Sequence, residues 1–209
     1  MNLSRLIECQ AFPCTGMDHV AFSIPDIEVT PEKVSIVMIS EATPANRADN
    51  YYARGDSLFQ RTTLQAFQDA GAAVSSFQDV LDLGVYLTTA VKCGKTGYAV
   101  STAAIKECSI ILHRELSVFS RAKVFMLMGD VAIKAFNEVA RREGLPRVIP
   151  AGSTYKIRGQ EYWYRGARVF PSYLQAGPSF FIEKSKRRMI AEDINRALKF
   201  VGSSPAALV

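Results

Sequence analysis

A chain of 209 residues is long enough for one sizeable core and short for two ordinary domains, and its 48% hydrophobic and 22% charged residues exclude a disordered chain. Its apolar runs stay far below the roughly 20 residues that span a bilayer, and Glu8, Cys9 and Cys14 stand where a secretory signal needs an apolar core. The net charge of +5 leans mildly toward polyanionic partners without requiring them.

From the N-terminus, the first regular element is Val34 to Ser40, a near-continuous β-branched run of the kind buried on both faces of a sheet. A polar, turn-rich loop covers Glu41 to Ser57. Leu58, Phe59, Thr62, Leu64 and Phe67 then mark one face of a helix that stops near Gly71. Val85 to Val91 reads as a second strand. Ser101 or Thr102 caps a helix carrying Ile105, Cys108, Ile111, Leu112 and Leu116. Lys123 to Met128 is a third strand, and Gly129 leads into a helix with Val131, Ala135, Phe136 and Val139 inward, closed by Gly144. The aromatic residues Tyr155, Tyr162, Trp163 and Tyr164 around Arg158-Gly159 predict a β-hairpin over Gly152 to Val169. Tyr173 to Ser179 is a Gly/Pro-bearing loop, Glu183 to Val201 a last helix, and 203–209 a flexible tail. Strands alternating with helices predict one domain over 1–209, a three-layer α/β/α sandwich with a mostly parallel central sheet. In such folds ligands sit beyond the C-terminal strand ends, which here gathers Glu41 to Tyr52, Thr88 to Cys93, Met128 to Val131 and Phe170 to Ser179 around one crevice.

Four cysteines, Cys9, Cys14, Cys93 and Cys108, carry the first chemical signal. The missing export signal predicts a cytoplasmic, reducing setting, in which thiols hold a soft metal or iron–sulfur cluster, or simply fill the core as small apolar residues. Glu41 puts a carboxylate at the mouth of the crevice. Tyr51 and Tyr52 are aromatic platforms or ordinary loop packing. Lys184, Lys186, Arg187 and Arg188 make a basic helix start, either a solvated face or a phosphate contact, and Arg141, Arg142 and Arg147 form a second such cluster. His19 and His113 stand apart from these motifs and read as structural or surface residues.

Taken in order, these segments resemble the uracil-DNA glycosylase superfamily, above all its branch with a [4Fe–4S] cluster. Ser40-Glu41-Ala42-Thr43-Pro44 stands against that family's Gly-Glu-x-Pro-Gly, and Val85 to Cys93 against its Val-Tyr-Ile-Thr-Asn-Val-Val-Lys-Cys, with Cys108 fifteen residues beyond Cys93. Gly129 to Ala132 matches a Gly-x-x-Ala after the third strand. Val169 to Gln175 stands against Val-x-Pro-Thr-x-His-Pro, and a basic helix, Lys184 to Leu198, follows. The resemblance implies Glu41 as the water-orienting carboxylate and Ser40, Ala42, Tyr51, Tyr52, Thr89, Ser172, Leu174 and Gln175 as the base-binding surroundings. It further implies DNA as partner, bound by a monomer through Lys184, Lys186, Arg187 and Arg188, and a [4Fe–4S] cluster on Cys9, Cys14, Cys93 and Cys108.

The sequence departs from that pattern where the chemistry is most direct. Thr89 replaces the asparagine that reads the base, and Leu174 replaces the histidine that stabilises the departing one. Leu174 has no side-chain donor, so it serves as an apolar wedge into the duplex or as a core contact. Two functions follow: base excision from DNA by Glu41, or a catalytically weak or inactive relative that keeps the fold and binds nucleic acid.

Overall fold

The structure, a computed structural model, describes residues 1–97 and 99–203. Six strands form one sheet: β1 (Met17–Asp18), β2 (Ile36–Thr43), β3 (Val85–Lys95), β4 (Val124–Met128), β5 (Tyr162–Tyr164) and β6 (Ala167–Ser172). Their order is β1-β3-β2-β4-β6-β5. The four central strands run parallel; β1 and β5 close the two edges antiparallel. Every residue of β4 and β6 is buried, as a strand covered on both faces requires.

Helices fill both faces. On one, α3 (Thr102–Leu116) and α4 (Asp130–Arg142) pack with the N-terminal segment around Val37, Ile39, Tyr86 and Phe136. On the other, α1 (Leu58–Asp69), α2 (Phe77–Asp82) and the long α7 (Lys184–Ser203) cover Ile36, Met38, Leu87 and Met126. This is the expected three-layer arrangement. Capping follows local chemistry: the Ser57 and Ser101 side chains accept the backbone N–H of Gln60 and Ala104. In α2 a capping box joins Ser76 and Asp79, in a helix too short for its periodicity to show.

Two expectations are corrected. The hairpin of β5 and β6 turns at Arg165-Gly166, not at Arg158-Gly159: Arg165 (φ 50°) and Gly166 (φ 81°) supply the two positive angles a tight right-twisted hairpin needs. The segment before it forms the short α5 (Thr154–Ile157), and Arg158 is drawn to α7 by Asp193, Glu192 and the Met189 carbonyl. The second strand runs past Val91 to Lys95. Its register against β2 shifts after Val91, with Lys92 and Cys93 falling between the pairs Ala42–Val91 and Thr43–Gly94. Such a bulge re-aims side chains at a strand end. The tail expected over 203–209 lies, from residue 204 on, outside the described residues. No helix among the described residues is long and apolar enough to cross a membrane.

Candidate active site and cysteine centre

The chain reverses its order across the sheet at β2, which is flanked by β3 on one side and β4 on the other. A crevice is expected beyond the C-terminal end of that switch point. A cleft of about 630 Å³ lies there, lined among others by Glu41, Thr43, Lys95, Leu174, Phe59 and Pro178. Glu41, half-buried at the end of β2, accepts the backbone N–H groups of Asp130 and Val131 at the start of α4. Burial pushes its carboxyl above the ordinary value, and the Lys95 charge and the two N–H donors pull it back. The contact also explains Gly129: its φ is 99°, and a Cβ there would stand 2.6 Å from Glu41 Oε1. The glycine lets the carboxylate lie against the helix N-terminus.

Behind the cleft is a closed polar wall. The Tyr51 hydroxyl is hydrogen-bonded to Ser40 Oγ and accepts from Gln175 Nε2 at 2.9 Å, and all three residues are buried. The Tyr51 ring is 1% exposed, so its faces pack on Phe59 and Tyr52 within the core. Tyr52 spans to β3, donating its hydroxyl to the Leu87 carbonyl and accepting the Leu87 N–H. Thr89 is buried with its hydroxyl 3.2 Å from that of Thr43. Ser172 donates to Asp193 at 2.6 Å, and Ala42 is buried. The residues expected around one crevice thus divide. Ser40, Glu41, Ala42 and Leu174 line the cleft, while Tyr51, Tyr52 and Thr89 line a separate pocket of about 170 Å³ with Arg47 and Asn50.

The basic helix start is also uneven. Lys184 is exposed, and Arg188, its side chain 80% exposed, makes a long surface pair with Glu192 at 3.7 Å. Lys186 pairs with Glu183, and Arg187 pairs with Asp69 on α1 while covering the Phe180 ring. Ahead of this helix, α6 (Ser179–Ile182) begins at the cleft rim, where Pro178 and Ser179 line it, and exposes Phe181 and Ile182. Sequence reasoning singled out Leu174 on this loop and missed these two. Their signal was the apolar triplet Phe180-Phe181-Ile182, separated by Glu183 alone from the cations that begin at Lys184.

The four cysteines are free thiols; Cys14, Cys93 and Cys108 are buried and Cys9 half-buried. They come from the N-terminal segment, the bulged end of β3 and α3. Burial raises the Cys93 thiol to about 12, reinforced by Cys108, Cys14 and Cys9 in that order. Burial likewise raises Cys108 to about 11, offset by the Lys92 backbone N–H, which donates to Cys108 Sγ at 3.2 Å. These neutral thiols would become ligands only on binding a cation, which deprotonates the groups that hold it. The donor set is soft and of the kind that suits an iron–sulfur cluster. His19, expected to stand apart, is corrected: the donor atoms of Cys14, His19 and Cys93 all lie within 4.8 Å of one another.

A family model described as the uracil DNA glycosylase superfamily matches residues 27–199. That span holds the cleft, the basic helix, Cys93 and Cys108; Cys9, Cys14 and His19 precede it. No curated protein matched the chain.

Proposed function

Because the chain belongs to the uracil DNA glycosylase superfamily, we propose that it hydrolyses the N-glycosidic bond of uracil or another altered base in DNA, as a step of base-excision repair. The observation that carries this reading is Glu41, held by the α4 amides at the mouth of a cleft large enough for a nucleoside. Breaking that bond builds positive charge on the sugar and negative charge on the base. An ionised Glu41 orients a water for attack and stabilises the sugar cation; the water's proton passes to a carboxylate oxygen as the bond to the sugar forms. Lys95, already acting on Glu41, adds a cation at the cleft for the departing base. Tyr51, Ser40 and Gln175 keep the inner wall rigid rather than stack on the base. DNA is gripped by Lys184 and Arg188, and Ile182 with Phe181 supplies the apolar wedge, a role the sequence left open for Leu174 beside that of a core contact.

The cysteine centre holds a [4Fe–4S] cluster through Cys14, Cys93 and Cys108, with Cys9 or His19 in the fourth place. The cluster's contribution is structural, tying the N-terminal segment to β3 and α3 beside the pocket of Thr89.

The test is incubation of anaerobically purified protein with oligonucleotides carrying uracil, hypoxanthine, xanthine or mismatched bases, followed by a search for alkali-labile abasic sites. Cleavage of a lesion by wild type, lost in Glu41→Gln with DNA binding kept, is the expected result. Undiminished cleavage by Glu41→Gln removes the assignment of the carboxylate. A second reading is favoured by Thr89, whose hydroxyl faces Thr43, and by Leu174, which offers no donor: a relative that binds nucleic acid without excising. Salt-dependent binding with no cleavage of any lesion selects it.

A further inference from the structure

The second basic cluster, Arg141, Arg142 and Arg147, takes no part in lining the cleft and instead borders a groove between α3 and α4. We infer that this groove docks an acidic peptide segment carrying an aliphatic side chain, as a surface for a protein partner. The inference is independent of base excision and of the cysteine centre.

The groove has an aliphatic floor and a cationic rim. About 320 Å³ in volume, it is lined by Ile105 and Lys106 of α3, Lys134 and Arg141 of α4, and Leu145 and Arg147 of the connection that follows. Leu145 is 38% exposed, while Lys106 and Arg147 stand at the surface. Beside these four cations the lining holds one carboxylate, Glu138, which pairs with Arg141 at 2.6 Å. Lys134 pairs with Asp130 at 2.5 Å. Surface pairs of this kind hold weakly and exchange for an incoming carboxylate.

The walls are fixed before anything binds. Arg142 joins the two helices, donating Nε to Ser109 Oγ at 2.9 Å and its terminal nitrogen to the Lys106 carbonyl at 2.8 Å. Asn137 fastens the connection to α4: its Oδ1 accepts the Val148 and Ile149 N–H groups, and its Nδ2 donates to the Ile149 carbonyl at 3.0 Å. Arg147 Nε donates to the same carbonyl at 2.8 Å. A preformed groove spares a ligand the cost of ordering it.

The mixture of floor and rim selects the partner. A phosphate backbone would satisfy the cations and leave Ile105 and Leu145 unused, and no aromatic ring lines the groove to stack a base. A peptide with carboxylates around one aliphatic side chain meets both by charge complementarity and apolar burial. The groove also stands apart from the basic helix: α3 and α4 cover one face of the sheet, and α7, with Lys184 and Arg188, covers the other.

The experiment follows, by fluorescence anisotropy at low salt, the binding of a labelled peptide, Asp-Glu-Glu-Leu-Asp-Asp-Leu-Glu-Glu, to the full chain. A peptide with serine for both leucines and a single-stranded oligothymidylate of equal charge are run beside it. The expected result is tighter binding of the leucine peptide than of the serine one. Lys106→Ala/Arg147→Ala weakens it about tenfold and flattens its salt dependence, with oligothymidylate binding unchanged. Leu145→Ser removes the difference between the two peptides. Circular dichroism and the thermal midpoint confirm folding, and Lys106→Ala alone serves if the double variant unfolds. Equal binding of the two peptides by wild type overturns the inference. So does loss of the oligothymidylate rather than the peptide in the double variant, which gives the cluster to nucleic acid. No binding of the leucine peptide at millimolar concentration overturns it as well.

Discussion

At the scale of single residues the cleft turns on Glu41 and the glycine beneath it. Glu41→Gln keeps the shape and the contact with the α4 amides but cannot hold negative charge; the expected loss in single-turnover base release is at least about 100-fold, the size found when one preorganised electrostatic group is removed. Gly129→Ala strikes the same group from behind, since its Cβ would fall 2.6 Å from Glu41 Oε1 at a backbone angle unfavourable to side chains. It should lose base release and show a lowered thermal midpoint together, whereas Glu41→Gln leaves the midpoint near wild type. The pH profile follows from the environment. Burial raises the Glu41 carboxyl above its ordinary 4.5, and the working form is the ionised one. Rate should therefore fall with decreasing pH on a limb lying above 4.5. Lys95→Met removes a charge that lowers this value, so the limb should move to higher pH still. An acid limb that stays put in Lys95→Met would show that the Lys95 charge does not act on the group titrated.

At the scale of elements, α3 is fastened to β3 by charge buried without exposure. Lys92 pairs with Glu115 and donates to Thr88 Oγ1 at 2.7 Å. Tyr86 and Thr88 in turn donate to Glu115 Oε1 at 2.7 and 2.8 Å. Lys92 sits in the bulge beside Cys93, and its backbone N–H serves Cys108, so this ladder couples the cysteine centre to the strand that carries Thr89. Removing one charge strands the other: Lys92→Met should cost about 3–5 kcal/mol by denaturant unfolding. Adding Glu115→Leu should recover much of that loss, because no orphan charge remains. A double variant no more stable than Lys92→Met would mean the neighbouring hydroxyls, left without Glu115, are the larger cost. A smaller effect is expected in α2, where Ser76→Ala removes the N-cap acceptor of Asp79 N–H and should cost about 1 kcal/mol.

At the scale of the whole molecule, the net charge of +5 is less telling than where the cations stand. Arg187 is tied to Asp69 and packs over Phe180, so Arg187→Ala should lower stability by loosening α1 from α7. Lys184 and Arg188 reach solvent, and neutralising both should weaken DNA binding across sequences and reduce the salt slope by about two. An unchanged slope with normal folding would place the DNA elsewhere on the surface. The element order of the sandwich was legible because strand and helix periods are local: Val34 to Ser40 and the Gly129-led helix each carry their pattern within a dozen residues. So was Glu41 at a strand end. The hairpin turn, α2 and β1 were not, since aromatic density, a six-residue helix and a two-residue strand carry no usable period. What the sequence determined by itself, then, is the order of layers and which strand ends carry polar groups. Only the tertiary structure decided that Tyr51 and Gln175, 124 residues apart, meet inside the wall, that Arg187 is spent on Asp69, and that His19 lies against Cys93. The physical reason is that such meetings depend on how close-packed layers bring distant segments together, and no local periodicity records that distance.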